Sequence, residues 1–525
     1  MRGIGSAKGI LGTSTLMCAL LLTPPPACAQ STGQAPKQEM DLATVGKLLQ
    51  QLQGQIQNLH LQVNDLKAQQ QSTNAESAEL RKELEAAKLQ LVALATPAKS
   101  VQPVQPLPTT ESSSQTYDER ISRLEENQQL ADSKIAEESQ TKVESGSKYR
   151  VRLSGIILFN MYGNRGTVEN VDIPQLAQQP GLLSSNGSTG ASLRQSQIGI
   201  EAFGPTIAGA RTSANIQFDF AGGFPETSNG VSFGIMRLRT GTVHFDWPET
   251  SVVAGQDSLF FAPLSPTSLA TLAIPSLAYS GNLWSWTPQL RVQHNFTVSD
   301  SSSVLLQGGL LDSLSGEVPP SEYYRYPTWG ESSGQPAYAA RVAWTRKLEG
   351  QNLTLGAGGY YGRQTWGYNR GVDSWAGTLD VTVPLGNLFE FTSAFYRGRA
   401  LGGLNGGVGQ SVLWKGNLLD PETQVFGLNS VGGWAQLKYK ATSKLQFNGA
   451  FGQDNPYAGD LREYGGNTTY YPVPISKNQS ELVNFIYRPR SDIVFSLEYR
   501  RLKTFTLDRD ANSANLVNLS LGYIF

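Results

Sequence analysis

Seven arginines carry the clearest chemical signal in this chain. Arg150 and Arg152, and again Arg237 and Arg239, stand two residues apart in stretches where every second residue is apolar, and Arg211, Arg291 and Arg341 hold the same polar register in other such stretches. Residues two apart on an extended chain share one face, so these guanidiniums would line one side of a sheet. A guanidinium stays charged at any physiological pH and grips carboxylate or phosphate as a fork. Acids on the same register are Glu201, Asp219, Asp380, Glu390 and Glu498, and Lys438, Lys440 and Arg500 add positive charge. Two readings stay open at this level: a surface that favours small anions, or ion pairs that simply brace the sheet.

Other chemistries are poorly provided for. The three histidines are His60, His244 and His294, and neither His244, beside Phe245, nor His294, near Phe296, sits in a recognisable nucleophile motif. Hydrolases of the serine type need such a set, so no enzymatic activity is expected, and neither is a cofactor or a metal. Cys18 and Cys28 both fall in residues 1–29, which read as a cleaved secretory signal: Arg2 and Lys8, an apolar stretch at 10–22, then Ala27-Cys28-Ala29. Pro25 and Pro26 oppose an acylated Cys28. A net charge of -1 implies no general attraction to nucleic acid.

The elements that would position the arginines begin at Lys148, where the apolar period becomes two. Sixteen strand cores follow, at 149–159, 195–203, 208–220, 235–247, 250–256, 288–297, 303–312, 337–348, 352–363, 374–384, 388–399, 431–441, 445–453, 479–488, 493–506 and 512–525. Short turns such as Pro205-Thr206, Pro248-Glu249, Asp300-Ser301 and Gly386-Asn387 alternate with long segments. The last strand ends on an apolar row, Leu519, Leu521, Tyr523 and Phe525. No run of 18 apolar residues follows the signal, so no membrane helix is expected, but only alternate residues of a barrel strand meet lipid. The fold class expected is all-β: a 16-stranded antiparallel transmembrane β-barrel over 148–525, preceded by an α-helical coiled coil. Trp284, Trp286, Trp329, Trp344, Trp366, Trp375, Trp414 and Trp434 fall near strand ends and suit interfacial belts.

Residues 257–287 form the candidate constriction loop. They hold Asp257, Phe260, Phe261, several prolines and an apolar run over 269–277. Such a loop is unfavourable in water and is expected to fold inward, with Asp257 facing the arginines across the bore. Upstream, 41–95 is a strict heptad repeat with Leu42, Val45, Leu49, Leu52 and Ile56 opening its a/d seam, about 80 Å long as a helix. A Pro/Ser-rich linker occupies 96–116 and a short polar helix 117–145.

The run Thr141-Lys142-Val143-Glu144-Ser145-Gly146-Ser147-Lys148-Tyr149-Arg150-Val151-Arg152-Leu153-Ser154-Gly155 resembles bacterial outer-membrane porins that carry a periplasmic coiled coil before the barrel, the DcaP-like porins. Met236-Arg237-Leu238-Arg239 and Val253-Ala254-Gly255-Gln256, followed by a long loop, are similar to the same group. The resemblance implies a homotrimer in outer-membrane lipid that lets small hydrophilic solutes diffuse passively, with a preference for anionic ones in some members. Only Arg237, Arg239 and the loop opening at Asp257 match position by position. The alternative function is envelope tethering, in which the coiled coil binds peptidoglycan and the pore is secondary.

Overall fold

The computed structural model describes residues 150–525 except 183–184, 225–233, 318–323, 349, 465–473 and 508–510. The signal, coiled coil, linker and short helix expected over 1–145 lie outside the described residues.

Alternation of apolar and polar residues builds the wall. Its strands are β1 (Arg150–Arg165), β2 (Gly187–Ser192 and Gln197–Ile207), β3 (Ala210–Asp219), β4 (Arg237–Asp246), β5 (Thr250–Ser258), β6 (Trp286–Ser299), β7 (Ser302–Leu311) and β8 (Ala337–Leu348). They continue as β9 (Gln351–Trp366), β10 (Arg370–Leu385), β11 (Phe389–Arg399), β12 (Asn429–Lys440), β13 (Leu445–Pro456), β14 (Ile475–Tyr487), β15 (Ile493–Thr506) and β16 (Asn512–Ile524). The two pieces of β2 pair with successive parts of β1, so seventeen paired segments make sixteen wall strands. Each pairs antiparallel with the next, and β1 pairs with β16 from Ile156↔Ile524 to Arg165↔Asn515, which closes the sheet. Reciprocal bonds between Gly155 and Phe525, of 2.9 and 3.0 Å, carry the ladder to the last residue. Closure leaves no open edge, the condition for a sheet in hydrocarbon.

The two faces differ as the pattern requires. On β16, Val517, Leu519, Leu521 and Tyr523 are exposed, while Leu516, Asn518 and Ser520 between them are buried inside. The same holds on β1, where Ile157, Phe159 and Met161 point out and Leu158 and Asn160 point in. Short turns gather at one end, with both ends of the barrel chain, and the long segments at the other, where residues 367–369 between β9 and β10 make a tight turn among them.

Three details depart from the sequence reading. Strand β1 runs on to Arg165, because outward Met161 and inward Asn164 keep the alternation going past 159. The β2–β3 turn falls at Ala208-Gly209, not Pro205-Thr206: pairing slips by a bulge between Phe203 and Thr206, and positive φ at Ala208 (50°) and Gly209 (80°) makes the reversal. Trp366, Trp414 and Trp434 are buried rather than placed in an outer belt. Trp366 stacks on Trp329 at 4.7 Å among Val372, Ala400 and Val412, so closing loops have captured it.

The apolar core lies inside the cylinder, toward the long-loop end. Leu259, Phe260, Phe261 and Leu283 from one long segment meet Leu401 and Leu404 from another, against Leu311, Tyr360 and Tyr396 of the wall.

Candidate functional site

The segment between β5 and β6 enters the barrel and is fastened to the wall on many sides. The Thr378 hydroxyl of β10 donates to Phe261 O at 2.6 Å, and the Thr267 N–H donates to Gln436 Oε1 of β12 at 2.7 Å. Asn484 of β14 donates to Thr267 O, Asn160 of β1 to Leu269 O, and Gln195, at the break in β2, to Ala270 O. Arg239 and Arg237 of β4 donate to Leu272 O and Ala273 O at 3.1 and 2.8 Å. Arg500 of β15 reaches Thr271 and Ser276. One approach admits glycine alone: Gly281 has φ +90°, and a Cβ there would stand 2.3 Å from Gly433 N and 2.4 Å from Gln453 O.

The seven arginines fall into two groups. Arg237, Arg239, Arg291 and Arg341 belong to the half nearer the long loops, and each holds a carboxylate. Asp219, wholly buried, takes Arg237 at 2.7 Å and Arg239 at 2.9 Å. Arg341 grips Asp380 as a fork at 2.7 and 3.0 Å, with both side chains almost fully buried. Arg291 binds Asp257 at 2.7 Å. Asp257 therefore meets an arginine of the adjoining strand β6, and the arrangement expected across the bore gives way to a pair within the wall. Phe260 and Phe261 are buried, and Phe261 stacks on Tyr360 at 5.4 Å, so these rings seat the loop against the wall.

Arg150, Arg152 and Arg211 form the second group, at the short-turn end. All three are exposed. Arg152 stands 3.8 Å from Glu201, with 55% of its side chain exposed, and Arg150 and Arg152 lie over the Phe203 ring. Elsewhere on the same rim a cavity of about 580 Å³ opens, lined by Lys438, Lys440, Lys444 and Arg488 with Glu390 as its single acid. Glu390 spans Lys438 and Lys440 at 2.8 and 2.9 Å. Four cations against one carboxylate leave the lining of this cavity positive.

Sequence reasoning did not single out the clasps that hold two other long loops inside. Glu317 is buried and accepts the N–H groups of Ser411 and Val412 at 2.9 and 3.3 Å, and burial pushes its carboxyl up. Glu169 accepts the N–H groups of Gln175 and Leu176 at 2.7 and 2.8 Å; the residue keeps an exposed surface, and desolvation around its carboxyl pushes it up to about 7. The signal available was the one used for 257–287, apolar residues in a long loop: Leu401, Leu404, Val408, Val412 and Leu413. His244 and His294 are held by wall hydroxyls, Thr242 at 2.8 Å and Thr250 at 2.7 Å.

No protein-family model and no curated protein matches the sequence. Among solved structures the chain is similar to the outer membrane channel DcaP of Acinetobacter baumannii, with a TM-score of 0.56 and 17% identity over 72% of this chain and 99% of that one. OmpF of Salmonella typhi, solved with daunomycin, is 10% identical over 73% of this chain and 99% of that one, with a TM-score of 0.43. OmpT of Vibrio cholerae is 10% identical over 73% and 100%, with a TM-score of 0.42. The first of these likenesses shows that the chain shares the fold of the DcaP channel.

Proposed function

We propose that the chain is an outer-membrane porin through which small hydrophilic solutes diffuse passively, with a mild preference for anions. The observation that carries this reading is the closed sixteen-stranded wall with an apolar outer face and a polar, charged inner one. A soluble protein would not leave Ile157, Val483, Leu379 and Tyr523 all about half exposed on one continuous outer surface. The inward loop over 257–287 is the constriction of this channel. Anion preference comes from the short-turn mouth, where Lys438, Lys440, Lys444 and Arg488 outnumber Glu390. The paired arginines near the long loops hold the wall and the loop in place.

The heptads over 41–95 support assembly of several copies, with a trimer as the proposed state and the coiled coil in the periplasm. Purified protein in a planar bilayer under a salt gradient tests the whole reading. Stable open conductance in steps of three, with a reversal potential on the anion side, is expected. A silent bilayer would remove the channel, and cation preference would remove the role given to the mouth.

A further inference from the structure

Four adjoining strands change character on their outward face before they reach the long-loop end. The apolar row of β1 through Phe159 and Met161 gives way to Arg165. On β16, Leu519 and Val517 are followed by Asn515 and Ser513, and on β15, Leu497 and Tyr499 are followed by Arg501 and Lys503. On β14, Val483 gives way to Glu481, Gln479 and Lys477. These side chains point outward, since Leu502, Thr504, Asn478 and Ser480 between them are buried inside.

Register gathers them into one patch. Arg165 lies opposite Asn515, Asn515 opposite Arg501, and Arg501 opposite Glu481. Lys503 lies between Ser513 and Gln479, and the Lys477 ammonium sits 3.9 Å from the Phe505 ring centroid. With strands about 5 Å apart, the cations fall within one headgroup's reach of each other. Among the described residues of these four strand ends, four cations share a single acid, Glu481, which stands 3.8 Å from Arg501 and is itself half exposed. On β9 and β10 the outward charges balance instead, Arg363 holding Asp373 at 3.1 Å.

A basic surplus just above an apolar band sits where a membrane presents its headgroups. Long basic side chains lay their stems on the apolar surface and hold the charge at that level, and each attracts an anionic headgroup. A guanidinium pair with a neighbouring ammonium suits a phosphate monoester with net negative charge better than a zwitterionic headgroup, whose own cation is repelled. We propose that this face binds a phosphorylated lipid headgroup in the leaflet at the long-loop end, with Arg165, Arg501 and Lys503 as its main contacts. The inference rests on the membrane reading of the barrel and is independent of whether the bore conducts.

The test uses the full chain reconstituted into phosphatidylcholine vesicles containing bis-phosphorylated lipid A or its dephosphorylated form, followed by native mass spectrometry of the extracted protein. The phosphorylated form is expected to be retained about ten-fold or more over the other. The triple variant Arg165→Ser, Arg501→Ser, Lys503→Ser should lose that preference with bilayer conductance unchanged. The charge-conserving set Arg165→Lys, Arg501→Lys, Lys503→Arg should keep most of it. Equal retention of both lipids by the natural protein, or an undiminished preference in the serine variant, overturns the proposal. So does an absent lipid preference accompanied by altered cross-linking between copies in the serine variant, which would make the face a protein interface. Failure to insert into vesicles at all removes the membrane reading itself, a separate and recognisable result.

Discussion

Arg341 and Arg152 both stand on the inward face of the same cylinder, yet they do different work. Arg341 is buried, forked onto Asp380, and bonded to Gln307 as well. Arg152 is more than half exposed, with Glu201 at 3.8 Å. Around Arg341 the loop over 257–287 packs against the wall, and the buried arginine has a fixed partner in Asp380. Around Arg152 and the cavity by Lys444 the side chains are open to solvent, so charge acts at a distance on whatever enters. One residue type gives structure where the site is dry and a field where it is wet.

The largest effect should come from breaking the dry half. Arg341→Ala leaves Asp380 buried without its partner, and a loss of about 3–5 kcal/mol is expected in urea unfolding followed by gel mobility. The double replacement Arg341→Met, Asp380→Leu should recover most of it. If the single variant unfolds like the natural protein, the pair does not brace the wall.

A smaller effect is expected from pH at the Glu169 clasp, because the residue keeps an exposed surface and solvent screens its charge. Its carboxyl is raised to about 7 by desolvation. A raised acid binds more protons folded than unfolded, so the clasp is most stable in acid and loses stability as pH climbs from the ordinary carboxylate range to about 7. The amides of Gln175 and Leu176 should therefore exchange hydrogen faster at pH 8 than at pH 5, after correction for intrinsic rates. Glu169→Gln should flatten that difference, and an unchanged pH dependence in the variant would assign it to another group.

Next comes the loop's approach to the wall. Gly281→Val places a side chain where the Gly433 and Gln453 backbones already stand. The loop should lift from β12 and β13 and single-channel conductance should change, with the barrel still formed by circular dichroism. The smallest effect belongs to the wet half. Lys444→Glu with Arg488→Glu should move the permeability ratio toward cations by about two-fold at low salt, and the difference should fade as salt screens it. The same shift from replacing buried Arg341 would erase the distinction between the halves.

Much of the wall was legible in the residue pattern because the signal is local. A strand with an apolar outer face and polar contacts on the inner one must alternate, so Leu519, Leu521 and Tyr523 announce their face without help from the rest of the chain. The strand cores at 337–348 and 493–506 match the structure end to end, since each adjoins a short turn on one side and its alternation is clean. The β2–β3 turn was misplaced because Pro205 looks like a turn residue, whereas a bulge accommodates it and Ala208-Gly209 reverses the chain. The candidate site was less legible. Its arginines and acids could be assigned to one face, but which arginine meets which acid depends on strand order and stagger. Asp257 illustrates this: it belongs with Arg291 because β5 and β6 pair, a fact no local pattern carries.

Sequence alone therefore determined an all-β barrel with an apolar exterior, its strands, and the face on which each arginine stands, because period two is written residue by residue. Tertiary structure decided which of those charges are neutralised and which remain open to water. That outcome depends on long loops folding back into the cylinder, where burial makes an unpaired charge costly and selects a partner many residues away.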